Sequence, residues 1–179
     1  MNVEMSRYLV LAVDAVRARF FRLQDTDTPE IESGPNLVET DDMLNPENEM
    51  QGGAVFTETK TGANISSANG KMHQYDDHRM RHREEFAKRF AGDVVHEAIR
   101  RARPKETSDL ILVANPTMLG LIRGDAEQQS KGKNINVHAV AKDVSKMSAR
   151  QIHDLLAGKE LLPPRRAAAG QMGARRRRA

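Results

Sequence analysis

The chain has 179 residues, 39% of them hydrophobic, which fills one core but not two, so a single domain is expected. It has no cysteine, which removes disulfides, thiolate nucleophiles and cysteine zinc sites together, and no apolar run approaches the ~18 residues of a membrane helix. The net charge of +3 is uneven: residues 158–179 hold seven Lys/Arg against one acid, a tail at +6 on a body at −3, so the body itself is not a basic protein.

Residues 7–14 read Arg-Tyr-Leu-Val-Leu-Ala-Val-Asp, a short uninterrupted apolar run that predicts a central strand buried on both faces. Over 16–23, Val16, Ala18 and Phe20 alternate with Arg17 and Arg19, which predicts a half-exposed strand. Only Asp14 and Ala15 part the two runs, so a tight antiparallel hairpin follows, with Asp14 as a turn residue. A weaker third strand spans 36–44. Residues 45–80, polar and rich in glycine and asparagine with no period, predict a long loop.

Asp76 and Asp77 then precede a strong helix over about 78–103. Its apolar residues come in pairs (Phe86-Ala87, Phe90-Ala91, Val94-Val95, Ala98-Ile99) as a slowly winding stripe suited to a twisted sheet, and Pro104 helps to stop it. Residues 110–114 are a second fully apolar run, hence another central strand. Asn115-Pro116 supplies a cap and a first-position proline for a short helix. After a polar stretch over 125–134, residues 135–141 alternate Ile135, Val137 and Ala139 with Asn136 and His138, predicting a half-exposed strand near an edge. Ser148 with Gln151 makes a capping box, Ile152, Leu155 and Leu156 give an apolar face, and Gly158 closes the last helix. The order β-β-β-α-β-α-β-α specifies an α/β domain over 1–157. Its five-stranded mixed sheet is an antiparallel meander followed by right-handed crossovers that set the later strands parallel to the first. Residues 158–179 read as a mobile arginine-rich tail.

Several segments together resemble one family. Leu9-Val10-Leu11-Ala12-Val13-Asp14 with Ala18-Arg19-Phe20-Phe21, His82-Arg83-Glu84-Glu85-Phe86-Ala87, Leu110-Ile111-Leu112-Val113-Ala114 through Leu119-Gly120, and Lys142-Asp143-Val144 are similar to the bacterial host-attachment family, proteins required for attachment to host cells. The likeness spans most of residues 7–157. It implies a fold similar to the middle domain of archaeal and eukaryotic class-one release factors and of Pelota, an RNase H-like arrangement, and a translation-related or RNA-facing origin. Release factors carry a Gly-Gly-Gln loop just before the long helix. Here Gln51-Gly52-Gly53 stands in reversed order well upstream of the helix, so hydrolytic activity is not implied.

The residues offer several chemistries. His73, His78 and His82 with Asp76 and Asp77 include an i, i+4 histidine pair of metal-ligand spacing, but Arg79 stands where a zincin places its glutamate, so no metal is expected. Arg79, Arg81, Arg83, Lys88 and Arg89 make the start of the long helix basic, beside a loop with Lys60 and Lys71, and fit phosphate contact. Glu84 and Glu85 interleave with them, at i, i+4 from Lys88 and Arg89, as on an ordinary solvated face. Only Tyr75 is placed there for base stacking.

Asp14 with Asp41 or Asp42 lacks a specific two-metal nuclease spacing, no Gly-x-Ser-x-Gly elbow appears, and Asn115 caps its helix with no glycine-rich phosphate cradle. Arg165, Arg166, Arg175, Arg176, Arg177 and Arg178 in the tail suit non-specific polyanion binding that falls with salt. The expectation is a non-enzymatic cytoplasmic protein with no cofactor and no membrane span. It would bind RNA or the ribosome through the loop, the basic helix start and the tail. The alternative is a protein-interaction or adhesion-related factor whose loop 45–80 meets another protein.

Overall fold

Uninterrupted apolar strands fold where both faces are covered, and the two such runs lie side by side at the centre of one sheet. The computed structural model describes residues 7–46, 72–102 and 106–168, with the helical backbone alone along 72–83. Its elements are β1 (Tyr8–Val13), β2 (Arg17–Gln24), β3 (Asn36–Leu44), α1 (Met72–Arg101), β4 (Asp109–Ala114), α2 (Pro116–Ser130), β5 (Asn136–Ala141) and α3 (Ala149–Ala157). The five strands run in the order β3-β2-β1-β4-β5. The β1–β2 and β2–β3 pairs are antiparallel, while β1–β4 and β4–β5 are parallel, as the meander-then-crossover reading expects.

Strand alternation assigns the core to two layers. Leu9, Leu11, Phe20, Leu110 and Leu112 pack under the α1 stripe and α2, while Val10, Phe21, Leu23, Ile111 and Val113 pack under α3. The β2 strand is therefore not half-exposed: Phe21 and Leu23 are buried on the very face that carries Arg17 and Arg19. The first turn is one residue longer than expected, with β2 starting at Arg17. Asp14 closes it by accepting from the N–H groups of Val16 and Arg17 at 2.7 and 2.8 Å.

The helices also differ from expectation at their ends. The α1 helix begins at Met72 rather than near residue 78: Asp76 and Asp77 lie inside its opening turns instead of preceding it. The α2 helix runs to Ser130 rather than stopping before Asp125, because Ile122, Ala126 and Ser130 are buried on its inner face. That burial outweighs the roughly 1 kcal/mol propensity cost of Gly124. Asn115 caps it by accepting from Met118 N–H at 2.9 Å, and the Ser148–Gln151 capping box on α3 is present as expected.

The β5 strand is at the edge. Ile135 and Val137 face α2 as the alternation predicts, but Val140 on the opposite face, not Ala139, completes its burial. Gly158 ends α3 with ordinary helical φ, and the left-handed turn falls two residues later at Glu160.

Residues 158–168, expected to belong to a mobile tail, instead run back across the domain. Leu162 and Ala168 are buried, and the buried His153 Nε2–H donates to Pro163 O at 2.9 Å. Arg166 and Gly34 exchange two backbone hydrogen bonds as an antiparallel bridge. At Gly34 a Cβ would sit 2.9 Å from Thr26 Cγ2 and 3.1 Å from Thr26 Cβ. Gly34→Ala is accordingly expected to destabilise the domain by about 1–2 kcal/mol through overpacking, read from the urea midpoint, with no change in m-value.

Candidate functional site

The α1 stripe is buried from Phe90 to Ala102, whereas residues 84–89 are exposed or half-buried. The buried stretch is about 20 Å long, close to the length of a six-residue strand, so it matches the sheet it covers. Residues 72–89 extend the helix by about 27 Å past that stretch. Because α1 ends where β4 is about to begin, it runs antiparallel to β1 and β4, and the extension leaves the sheet at the carboxyl ends of its parallel strands.

This extension holds five of the basic residues expected to bind. Lys88 and Arg89 are exposed, and Arg89 lies over the Phe86 ring at 5.4 Å, a contact that leaves its N–H groups able to donate. Arg79, Arg81 and Arg83 lie within little more than one turn of the same helix, with side chains outside the described residues. So are the side chains of His73, Tyr75, Asp76, Asp77, His78 and His82. Lys60, Lys71, Gln51-Gly52-Gly53 and Arg175, Arg176, Arg177 and Arg178 also lie outside the described residues.

Arginines nearer the sheet are engaged within the fold. A bulge in β3 lets Phe20 pair with Asp41 and Phe21 with Glu39, so Thr40 has no partner in the register. Glu39 and Asp42, three residues apart, thereby share the α3 face. Arg17 bonds both at 2.9 Å, and Arg19 bonds Glu39 at 2.6 Å and Met147 O at 2.8 Å. The Arg19 hydrogen bond holds the Glu39 carboxyl below its usual range, against the opposing effect of burial.

On the other face Arg101 spans Asp41 and Glu97, both at 2.5 Å, and lies 4.6 Å over Phe20. Its hydrogen bond is the main reason Asp41 is also lowered. The nuclease candidates thus part company: Asp14 caps a turn, and Asp41 and Asp42 face opposite sides of the sheet. Among the described residues no three His, Asp or Glu side chains gather as a metal site.

One polar cluster gives no sequence signal. Asp109 opens β4, the one named strand buried at every position, and its side chain is only 11% exposed. It accepts from Ser108 Oγ at 2.6 Å, His138 Nε2 at 3.1 Å, Arg7 Nε at 3.3 Å and Asn136 Nδ2 at 3.4 Å. Burial alone would raise its pKa, but the bonds from Ser108, His138 and Asn136, with the Arg7 charge, bring it net below the usual range. With that carboxylate ionised, Nε2 of His138 must carry the hydrogen. The cluster fastens the start of β1, β4 and β5 together, and its members, scattered from residue 7 to residue 138, form no motif.

No helix among the described residues is long and apolar enough to cross a membrane. A model of the family described as protein required for attachment to host cells matches residues 9–156. Among curated proteins none matches the chain.

Proposed function

Since the chain belongs to the family of proteins required for attachment to host cells, we propose that it is a non-enzymatic binding domain that acts in the cytoplasm. In this reading it presents the basic start of α1 to RNA or the ribosome. The observation that carries the reading is the length of α1 beyond its buried stripe, with Lys88 and Arg89 exposed on the extension. A charged rod set on a rigid sheet suits contact with phosphate backbones, where position matters more than base readout.

The kinship with the middle domain of class-one release factors and Pelota belongs to the same proposal. An RNase H-like arrangement is supported by the mixed sheet and by the long helix that follows the connection from β3. Hydrolysis is no part of it, because Gln51-Gly52-Gly53 reverses the tripeptide that such chemistry uses.

Co-sedimentation with ribosomes from a lysate tests the proposal. The wild type is expected in the ribosomal pellet at low salt and in the supernatant at high salt. Lys88→Glu combined with Arg89→Glu should weaken the association by about tenfold, as removing two phosphate contacts does. No association at low salt would overturn the reading. The family's description favours a second one, a protein partner met through residues 45–80. Association that ignores both salt and the charge reversal would select that second reading.

A further inference from the structure

The two edges of the sheet are built differently. The β3 edge carries Glu39, Asp41, Asp42 and a bulge, and the returning chain sits against its start, where Arg165 Nε donates to Asn36 Oδ1 at 2.9 Å and Arg166 bridges Gly34. Charge, a bulge and a covering segment are what keep an edge strand from pairing further. The β5 edge has none of these. Residues 136–141 read Asn-Val-His-Ala-Val-Ala, with no acid, Lys, Arg or proline, and keep an unbroken register with β4. Among the described residues no strand lies on the other side of β5.

Hydrogen bonds at the two ends of β5 fix which main-chain groups face out. Asn136 N–H donates to Ser108 O at 2.7 Å and Lys142 N–H to Ala114 O at 2.8 Å, both toward β4. Residues alternate along a parallel strand, so Asn136, His138 and Val140 turn their N–H and C=O groups to β4, while Val137, Ala139 and Ala141 turn theirs outward. Ala139 and Ala141 are exposed and small, so neither side chain bars an incoming strand.

We propose that this edge binds the same edge of a second copy of the chain, antiparallel about a two-fold axis at Ala139, joining the two sheets into one. The outward set is symmetric about that residue. In this register Ala139 meets Ala139 of the other copy and Val137 meets its Ala141, each facing pair exchanging both main-chain bonds. A shift by one residue would set outward groups against inward ones. The same register places exposed Lys142 of one copy opposite Asn136 of the other, on the face where Asn136 Nδ2 donates to Asp109 Oδ1 at 3.4 Å. An ammonium thus arrives beside a carboxylate at each end of the pairing, and within the strand no like charges oppose each other. A single strand pair lies at the low end of interface size, so dissociation at about 10–50 µM is expected. With the β3 edge protected, growth stops at two. The pairing stands whatever α1 meets.

Sedimentation velocity of the full chain from about 1 to 200 µM should show monomer passing to dimer and nothing larger. Ala139→Lys and Ala139→Glu each put like charges face to face at the axis, at an exposed position where the fold tolerates them, and each should weaken association by about tenfold. An equimolar mixture of the two variants should associate again, because opposite charges then meet. A monomer at the highest concentration, species beyond the dimer, a dimer indifferent to both substitutions, or a mixture no stronger than its components would overturn the pairing.

Discussion

Replacing Phe20 with alanine is expected to cost about 3–5 kcal/mol, a large part of the 5–15 kcal/mol that typically holds a domain of this size. The ring is fully buried beneath the α1 stripe, so truncation leaves a cavity with no route for water to fill it. It also removes the surface on which the Arg101 guanidinium rests while that group holds Asp41 and Glu97. Urea denaturation followed by circular dichroism gives the difference, with Ile31→Ala as the control. Ile31 is 73% exposed and its truncation should stay within about 0.5 kcal/mol of the wild type. A cost below about 1 kcal/mol for Phe20→Ala would mean that α1 is not seated on β2.

Asp109→Asn is expected to cost about 2–3 kcal/mol at neutral pH, because an amide cannot accept from all four donors that now converge on the carboxylate. The cost should depend on pH in a defined direction. Asp109 has its pKa lowered in the folded protein, so its contribution is complete above the unfolded value near 3.8 and is lost as pH falls through the folded value. The gap between wild type and variant should therefore persist from pH 7 to about pH 5 and close below about pH 4. Denaturation midpoints measured across that range decide it. A gap that stays constant down to pH 2 would show that the carboxylate charge is not what the cluster uses.

The parts of the fold legible in the sequence are those where one physical cue decides the outcome. Runs of apolar residues at 9–13 and 110–114 admit no solvated face, so their central position follows. Asn115-Pro116 and Ser148 with Gln151 fix their helix starts by local hydrogen bonds alone. The β2 strand was misleading because Arg17 and Arg19 look like a solvent face. Their partners Glu39 and Asp42 share that face only through the β3 bulge, which leaves no mark in a hydropathy pattern.

The far end of α2 was hidden by polar residues on its outer side, and Val140 by an alternation that is right for one layer but silent about the other. Of the candidate site, Lys88 and Arg89 fall on an exposed stretch of helix as their neighbours Glu84 and Glu85 suggest. The Asp109 cluster was out of reach, since pairing across strands joins residues that no spacing rule connects. The course of residues 158–168 was equally hidden: a Pro-Pro-Arg-Arg stretch reads as solvated until Gly34 offers it a backbone partner.

The pairing of β1 with β4 has a consequence for how the chain tolerates change. These neighbours are parallel, yet all of residues 14–108 lie between them, so closing that long detour is a major entropic hurdle of assembly. The hurdle grows only logarithmically with the length of the detour. Adding some 25 residues between β3 and α1 would raise it by about 0.2 kcal/mol. Evolution and the protein engineer alike are thus free to rewrite or lengthen that connection at almost no thermodynamic cost, while the two strands it separates admit hardly any substitution.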